Sequence, residues 1–177
     1  MFDKLIEFIM QFLEDVLPFK VVNEWEKGVF LRFGKYLKVV EPGLRYKTPF
    51  ADKIWNTVTI TQTIHLQPQT LTTLDGKDVV LKAIVRYHVD DVKEFLLNVM
   101  HASDVLVDTT QGVIRDTVEG YNWEDLYNIS EYLQSQVQDI VDNWGIKIER
   151  ITLTDLVIVK TYRIMSDTSK PTQIIPD

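Results

Sequence analysis

The chain has 177 residues, a net charge of −7 and no cysteine. That length supports one core or two small lobes, and a hydrophobic content of 45% with 25% charged residues excludes wholesale disorder. Without cysteine there are no disulfides, thiolate metal sites, cysteine nucleophiles or S-palmitoylation, and the start Met-Phe-Asp-Lys lacks the features of a cleaved signal peptide.

Residues 1–18 come first as an amphipathic segment. At 100° per residue, Phe2, Leu5, Ile6, Phe8, Ile9, Met10, Phe12, Leu13, Val16 and Leu17 fill one arc of about 200°, and Asp3, Lys4, Glu7, Gln11, Glu14 and Asp15 fill the remainder. Pro18 ends the helix, because the residue before a proline is pushed out of the α region. Crossing a bilayer takes roughly 20 apolar residues, and charges interrupt this run, so the segment is expected to lie in a membrane surface, dock on its own domain or pair with copies of itself.

After Pro18 the texture is β. Val21–Glu24 and Val29–Phe33 read as strands joined through Lys27-Gly28, and Glu41-Pro42-Gly43-Leu44 fits a type II turn. Ile54 to Leu66 alternates as a further strand, and Pro68 asks for an edge or a bend. Asp75-Gly76 predicts a two-residue hairpin turn. The next strand puts Val79, Leu81, Ala83, Val85, Tyr87 and Val89 on one face and Val80, Lys82, Ile84, Arg86 and His88 on the other.

From Asp90 the period is helical. Asp90 is expected to cap a short helix, a second helix runs from about Ser103 to Val118, and Asn122 with Asp125 resembles a cap for a short turn. Ser130 is expected to cap a helix that ends at Gly145. Ile146–Val159 returns to strand, Thr161–Met165 starts another helix, and 166–177 reads as a flexible tail.

The charge is unevenly spread. Residues 27–53 hold Lys27, Arg32, Lys35, Lys38, Arg45, Lys47 and Lys53 against Glu41 and Asp52, an excess of +5 that leaves −12 for the rest. Such a patch beside an amphipathic helix suits an anionic membrane surface, where each cation is worth about 1 kcal/mol, and equally a solvated sheet face. Nucleic acid is not expected, since the acidic remainder repels it and no recognition motif accompanies the patch. Trp25 and Trp55 fall in the basic region, where indoles suit a headgroup layer, whereas Trp123 and Trp144 read as core.

Signals for chemistry are weak. His65, His88 and His101 lack metal-ligand spacing, Asp90-Asp91 reads as a helix cap, and the sequence contains no phosphate loop, Gly-x-Ser-x-Gly or His-Glu-x-x-His. The expectation is a non-enzymatic protein with no cofactor and no metal.

Read in order, several segments are similar to the SPFH or band-7 family, which includes stomatin, prohibitin, flotillin and HflK/HflC, and most similar to its stomatin-like members. They are Glu26-Lys27-Gly28-Val29-Phe30-Leu31-Arg32-Phe33-Gly34-Lys35, Pro42-Gly43-Leu44-Arg45-Tyr46 and Pro49-Phe50-Ala51-Asp52-Lys53. Leu71-Thr72-Thr73-Leu74-Asp75-Gly76-Lys77-Asp78-Val79, Ala83-Ile84-Val85-Arg86-Tyr87, Gly112–Gly120 and Trp144-Gly145-Ile146-Lys147-Ile148 continue the likeness over roughly residues 20 to 165.

The resemblance implies an α+β fold: an antiparallel β-rich part over about 19–75 and a mixed α/β part over about 76–165, together an SPFH domain at 19–165. It also implies a scaffold on the cytoplasmic face of a membrane that forms homo-oligomers, or hetero-oligomers with SPFH-type proteins. Membrane lipids are its expected partners, with a membrane protease as a further one. The expected membrane-contacting residues are Phe2, Leu5, Ile6, Phe8, Ile9, Phe12, Leu13, Trp25, Lys35, Lys38, Lys47 and Trp55. The family's transmembrane hairpin or helix and its long coiled coil have no counterpart in the sequence, so a minimal form with reversible attachment and small oligomers is expected. The alternative from a different class is a soluble regulatory module that docks on an SPFH complex or membrane protease through residues 2–17.

Overall fold

A computed structural model of the chain describes residues 17–159. The amphipathic segment over residues 1–16, the expected helix at Thr161–Met165 and the tail from Ser166 lie outside the described residues. The described part is α+β, with a first β lobe followed by a sheet backed by helices.

In the first lobe, β1 (Phe19–Val22) pairs with β4 (Gly43–Tyr46), and β2 (Glu26–Arg32) lies between β3 (Lys35–Val40) and β5 (Asp52–Val58), all antiparallel. The turn expected at Lys27-Gly28 lies instead at Glu24-Trp25, closed by Glu26 N–H donating to the Asn23 carbonyl at 3.0 Å. Gly28 is a strand residue chosen for closeness: a Cβ there would sit 2.6 Å from the Trp55 carbonyl oxygen. The run Val29-Phe30-Leu31 does not alternate because both faces of β2 are covered. Phe30 packs with Val22, Val40 and Ile54, while Val29 and Leu31 pack with Val89 and Val92 of the second lobe.

In the second lobe, β8 (Asp78–Val89) is central. Along one side β9 (Ile146–Ile158) pairs with it over almost its whole length, and along the other side lie β6 (Gln62–His65) and β7 (Gln69–Thr72). The expected continuous strand Ile54–Leu66 is therefore divided between the two lobes, with Thr59–Thr61 as the link. β6 and β7 act as one broken edge strand with Pro68 at the break, where the missing N–H costs no ladder bond.

The Asp75-Gly76 hairpin forms, with Gly76 at φ +74°, but its loop is five residues rather than two. Thr73 N–H donates to the Lys77 carbonyl at 3.0 Å, and Lys77 N–H to Thr73 Oγ1 at 3.2 Å. Asp75 holds Lys77 Nζ at 2.7 Å and accepts from Thr73 Oγ1 and the Trp123 N–H, and these bonds push its carboxyl down to about 2.

β8 alternates as its sequence predicts, with Val79, Leu81, Ala83, Val85, Tyr87 and Val89 buried. All but Val89, which packs with the first lobe, join the main core, to which α2 (Ala102–Gly120) contributes Leu106, Ile114 and Val118, and α3 (Ser130–Val141) contributes Leu133, Val137 and Val141. Trp123 and Trp144 pack half-buried against this core. Two caps differ from expectation by one residue. Asp91, not Asp90, caps α1 (Val92–Leu97) by accepting from the Lys93 and Glu94 N–H groups at 2.8 and 3.0 Å, while the backbone N–H groups of both Asp90 and Asp91 donate to the Gly145 carbonyl at 2.9 and 3.2 Å. Ser130 is the first helical residue of α3, and Ile129 precedes it with no side-chain cap. Gly145 sits at φ +68° where β8, α1 and β9 meet, and a Cβ there would collide with the Asp91 carbonyl.

Candidate membrane-contact site

Three chain segments gather at one end of the first lobe. The chain enters at Leu17-Pro18, β2 turns into β3 through Phe33-Gly34, and β4 passes to β5 through 47–51. Hydrogen bonds tie these loops together: Lys47 N–H donates to the Pro18 carbonyl at 2.8 Å and Phe33 N–H to the Ala51 carbonyl at 2.7 Å. Beneath them Asp52 accepts from Arg32 Nε at 2.8 Å, Arg32 Nη2 at 3.2 Å and the Thr48 N–H at 2.9 Å. Its side chain is buried, and the Arg32 guanidinium holds its carboxyl down to about 2.

This braced end carries apolar side chains outward. Phe33 is 80% exposed and Phe50 is 89% exposed, and each has a positive φ, +50° and +65°, which non-glycine residues rarely adopt. Behind them the outer face of the β1–β4 ribbon presents Phe19 against Tyr46, ring centroids 5.7 Å apart, and Val21 against Leu44, all more than half exposed. Leu17, also exposed, continues that face. Among the described residues the charges at this end are Arg32, Lys35, Lys47 and Lys53 against one carboxylate, the buried Asp52. A protruding aromatic pair ringed by cations can enter an apolar phase while the cations remain at a polar, anionic boundary. Burying a phenylalanine side chain is worth about 1.5–3 kcal/mol.

The residues expected from sequence do not form one cluster. Phe2, Leu5, Ile6, Phe8, Ile9, Phe12 and Leu13 lie outside the described residues. Lys35 stands beside the aromatic end, being paired with Arg32, and Lys47 is half-buried next to Pro18. Trp25, half exposed, sits at the opposite end of β2, about 20 Å away at about 3.3 Å per residue. Trp55 and Lys38 are exposed at mid-sheet beside Val29 and Phe30, and so on opposite faces. Phe33 and Phe50 were missed because their segments read as ordinary strand and loop. The available signal was two phenylalanines beside turn residues, in Phe33-Gly34 and Pro49-Phe50.

Elsewhere the described residues hold no group of three or more histidine, aspartate or glutamate side chains placed for a metal ion. His88 Nδ1 lies 3.0 Å from Glu149 on the second sheet, which Thr61 Oγ1 also reaches at 2.6 Å. Among the described residues no helix is long and apolar enough to cross a membrane.

A family model described as "SPFH domain / Band 7 family" matches residues 20–167. An uncharacterised protein of Methanocaldococcus jannaschii is 26% identical over 140 residues, covering 77% of this chain and 70% of its own length. A band 7 protein of Drosophila melanogaster is 30% identical over 158 residues, 84% of this chain and 31% of its length. Mouse stomatin is 26% identical over 154 residues, 83% of this chain. The matched part is 54% of stomatin, so the chain corresponds to about half or less of these two animal relatives. With the family model matching most of its length and the α+β order of two β lobes and packed helices in place, the chain belongs to the SPFH domain / Band 7 family.

Proposed function

We propose that this chain is a non-enzymatic scaffold subunit that binds a membrane surface through the aromatic end of its first lobe and through the amphipathic segment 2–17, and that copies of it assemble there to organise or regulate membrane proteins. The observation that carries the membrane reading is the pair Phe33 and Phe50, almost wholly exposed, on loops braced by the Arg32–Asp52 ion pair and ringed by lysines. The geometry favours a surface-bound wedge, because two side chains on short, rigid loops reach only the outer layer of a bilayer. Membership of the SPFH family supports the scaffold reading, and hetero-oligomers with related subunits or contact with a membrane protease follow from it as further proposals.

Flotation with phosphatidylcholine–phosphatidylserine vesicles tests it. The double variant Phe33→Asn, Phe50→Asn keeps a residue that tolerates positive φ at both loops, and is expected to lower the vesicle partition coefficient at least about tenfold, since 1.4 kcal/mol is one decade. Replacing Phe8, Ile9 and Phe12 by Glu is expected to lower it further. If the full-length chain stays in solution with these vesicles, the membrane reading fails and docking of residues 2–17 on a partner protein takes its place.

A further inference from the structure

The second lobe has two faces of opposite character. Its helical layer, from α2 through α3 to the Asp142–Trp144 turn, displays Asp104, Asp108, Asp116, Glu119, Glu124 and Asp125, with three more exposed carboxylates beyond them, against the single cation Arg115. None of these carboxylates forms an ion pair among the described residues. Across the sheet from the helices, the open face of β8 and β9 places Arg86 directly opposite Arg150 and His88 directly opposite Lys147. The two guanidinium groups of Arg86 and Arg150, like charges opposed across an antiparallel pair, are destabilising on their own. Glu149 is the nearby carboxylate, but Thr61 and His88 already hold it, and Arg86 approaches only to 3.9 Å. The side chains of Arg150 and Lys147 have no hydrogen-bonding or ion-pair partner among the described residues. Beside this cluster the open face offers half-buried Ile84 and Val80 and exposed Val157, an apolar centre of the kind that protein contacts cover.

We infer that the open sheet face is the docking surface for the acidic helical layer of a second copy of this chain. The occupant follows from charge complementarity: each copy carries an uncompensated acidic surface and, on the reverse side of the same lobe, the cluster of Arg86, Lys147 and Arg150 around the single carboxylate Glu149, whereas Lys82 farther along the strand is already met by Asp155 opposite it. Because the two surfaces lie back to back, the contact is heterologous and repeats head to tail, giving a ring if the rotation closes and an open row if it does not. The inference rests on the assembly reading above and gives that assembly its interface.

The test uses two charge-reversed full-length chains on phosphatidylcholine–phosphatidylserine vesicles and in solution, with size followed by light scattering and sedimentation. Arg86→Glu with Arg150→Glu makes both faces acidic, and Asp108→Lys, Asp116→Lys, Asp125→Lys, Asp139→Lys and Asp142→Lys together make the helical layer basic. Every substituted residue is exposed, and thermal melts check that each chain folds. Should either fold poorly, Arg86→Gln with Arg150→Gln provides the milder version. Each variant alone is expected to need at least about tenfold more protein than the parent to assemble, and an equimolar mixture is expected to recover the parent's assembly, since each reversed face then meets its complement. The parent is also expected to dissociate as salt rises from about 50 to about 500 mM, where screening shortens to a few ångströms. If the parent assembles and the variants assemble equally well, the interface is wrong while the scaffold reading stands. If Arg86→Glu with Arg150→Glu loses vesicle binding but keeps its self-association, the face binds lipid and the inference is overturned. A parent that stays monomeric in both settings overturns the interface and the scaffold reading together.

Discussion

Asp52 shows how one residue sets the shape of a surface it does not reach. It is buried under the aromatic end, joins β5 to β2 through Arg32, and fixes the start of the 48–52 loop through the Thr48 N–H. Its carboxyl is held at about 2 against an ordinary 3.8, chiefly by the Arg32 hydrogen bonds. A carboxylate with a depressed native value stabilises the fold above its unfolded value and loses that contribution as pH falls through the native one. The melting temperature is therefore expected to fall between pH about 4 and about 2, with Asp75, held at about 2 by Lys77 and Thr73, contributing in the same window. Asp52→Asn is expected to melt lower than the parent at pH 7 and to converge on it near pH 2, as followed by circular dichroism. Parallel curves across that range would mean that the Arg32–Asp52 pair has no net role in stability. The loop that carries Phe50 is expected to become more susceptible to proteolysis in the same variant, which links the brace to the exposed aromatic pair.

At the scale of elements, the edge of β9 shows why a strand can end a sheet without recruiting another. Gln138 of α3 accepts from the Ile148 N–H at 2.7 Å and donates through Nε2 to the Ile146 carbonyl at 3.1 Å, and Gln134 Nε2 donates to the Ile148 carbonyl at 3.2 Å. Two amides thus occupy backbone positions that a neighbouring strand would otherwise take. Gln138→Ala leaves the Ile148 N–H unpaired at a buried position and is expected to cost about 1–3 kcal/mol in urea unfolding, with faster hydrogen exchange at that amide. Unchanged exchange would show that the ladder does not depend on the side chain. This device was not legible in the sequence, because nothing local marks a helical glutamine as the partner of a distant backbone. What was legible followed from strong local periodicity: the alternation of β8, the three- and four-residue spacing in α2 and α3, and the Asp75-Gly76 reversal. The misreadings came from tertiary contact. Gly28 looked like a turn because close approach to Trp55 leaves the same sequence mark, β2 hid its role because both its faces are covered, and the adjacent Asp90 and Asp91 offer the same capping group, so only the position where the helix starts selects Asp91. Phe33 and Phe50 escaped notice because a large apolar residue in sequence reads first as core.

Over the whole molecule, charge and shape give the lobes a preferred order at an anionic surface. Among the described residues the aromatic end carries Arg32, Lys35, Lys47 and Lys53 with one buried carboxylate, and it lies at the far end of β2 and β5 from the 59–61 link to the second lobe. The second lobe brings the acidic helical layer, which an anionic surface repels. At the proposed membrane surface, long-range attraction at one end and repulsion at the other are expected to orient the chain before any side chain inserts, with the aromatic pair then adding an apolar term that salt does not screen. Association with anionic vesicles is therefore expected to slow with rising salt, while dissociation depends mainly on Phe33 and Phe50. Because the chain has no cysteine, a single introduced one reports position without interference. An environment-sensitive dye at Phe50→Cys is expected to shift to shorter wavelength on vesicle binding and to be quenched by lipids labelled near the headgroup. The same dye at Asp139→Cys on α3 is expected to remain in water. A shift at Asp139→Cys with none at Phe50→Cys would reverse the orientation, and equal shifts at both would mean that the chain lies flat, with the helical layer touching lipid despite its charge.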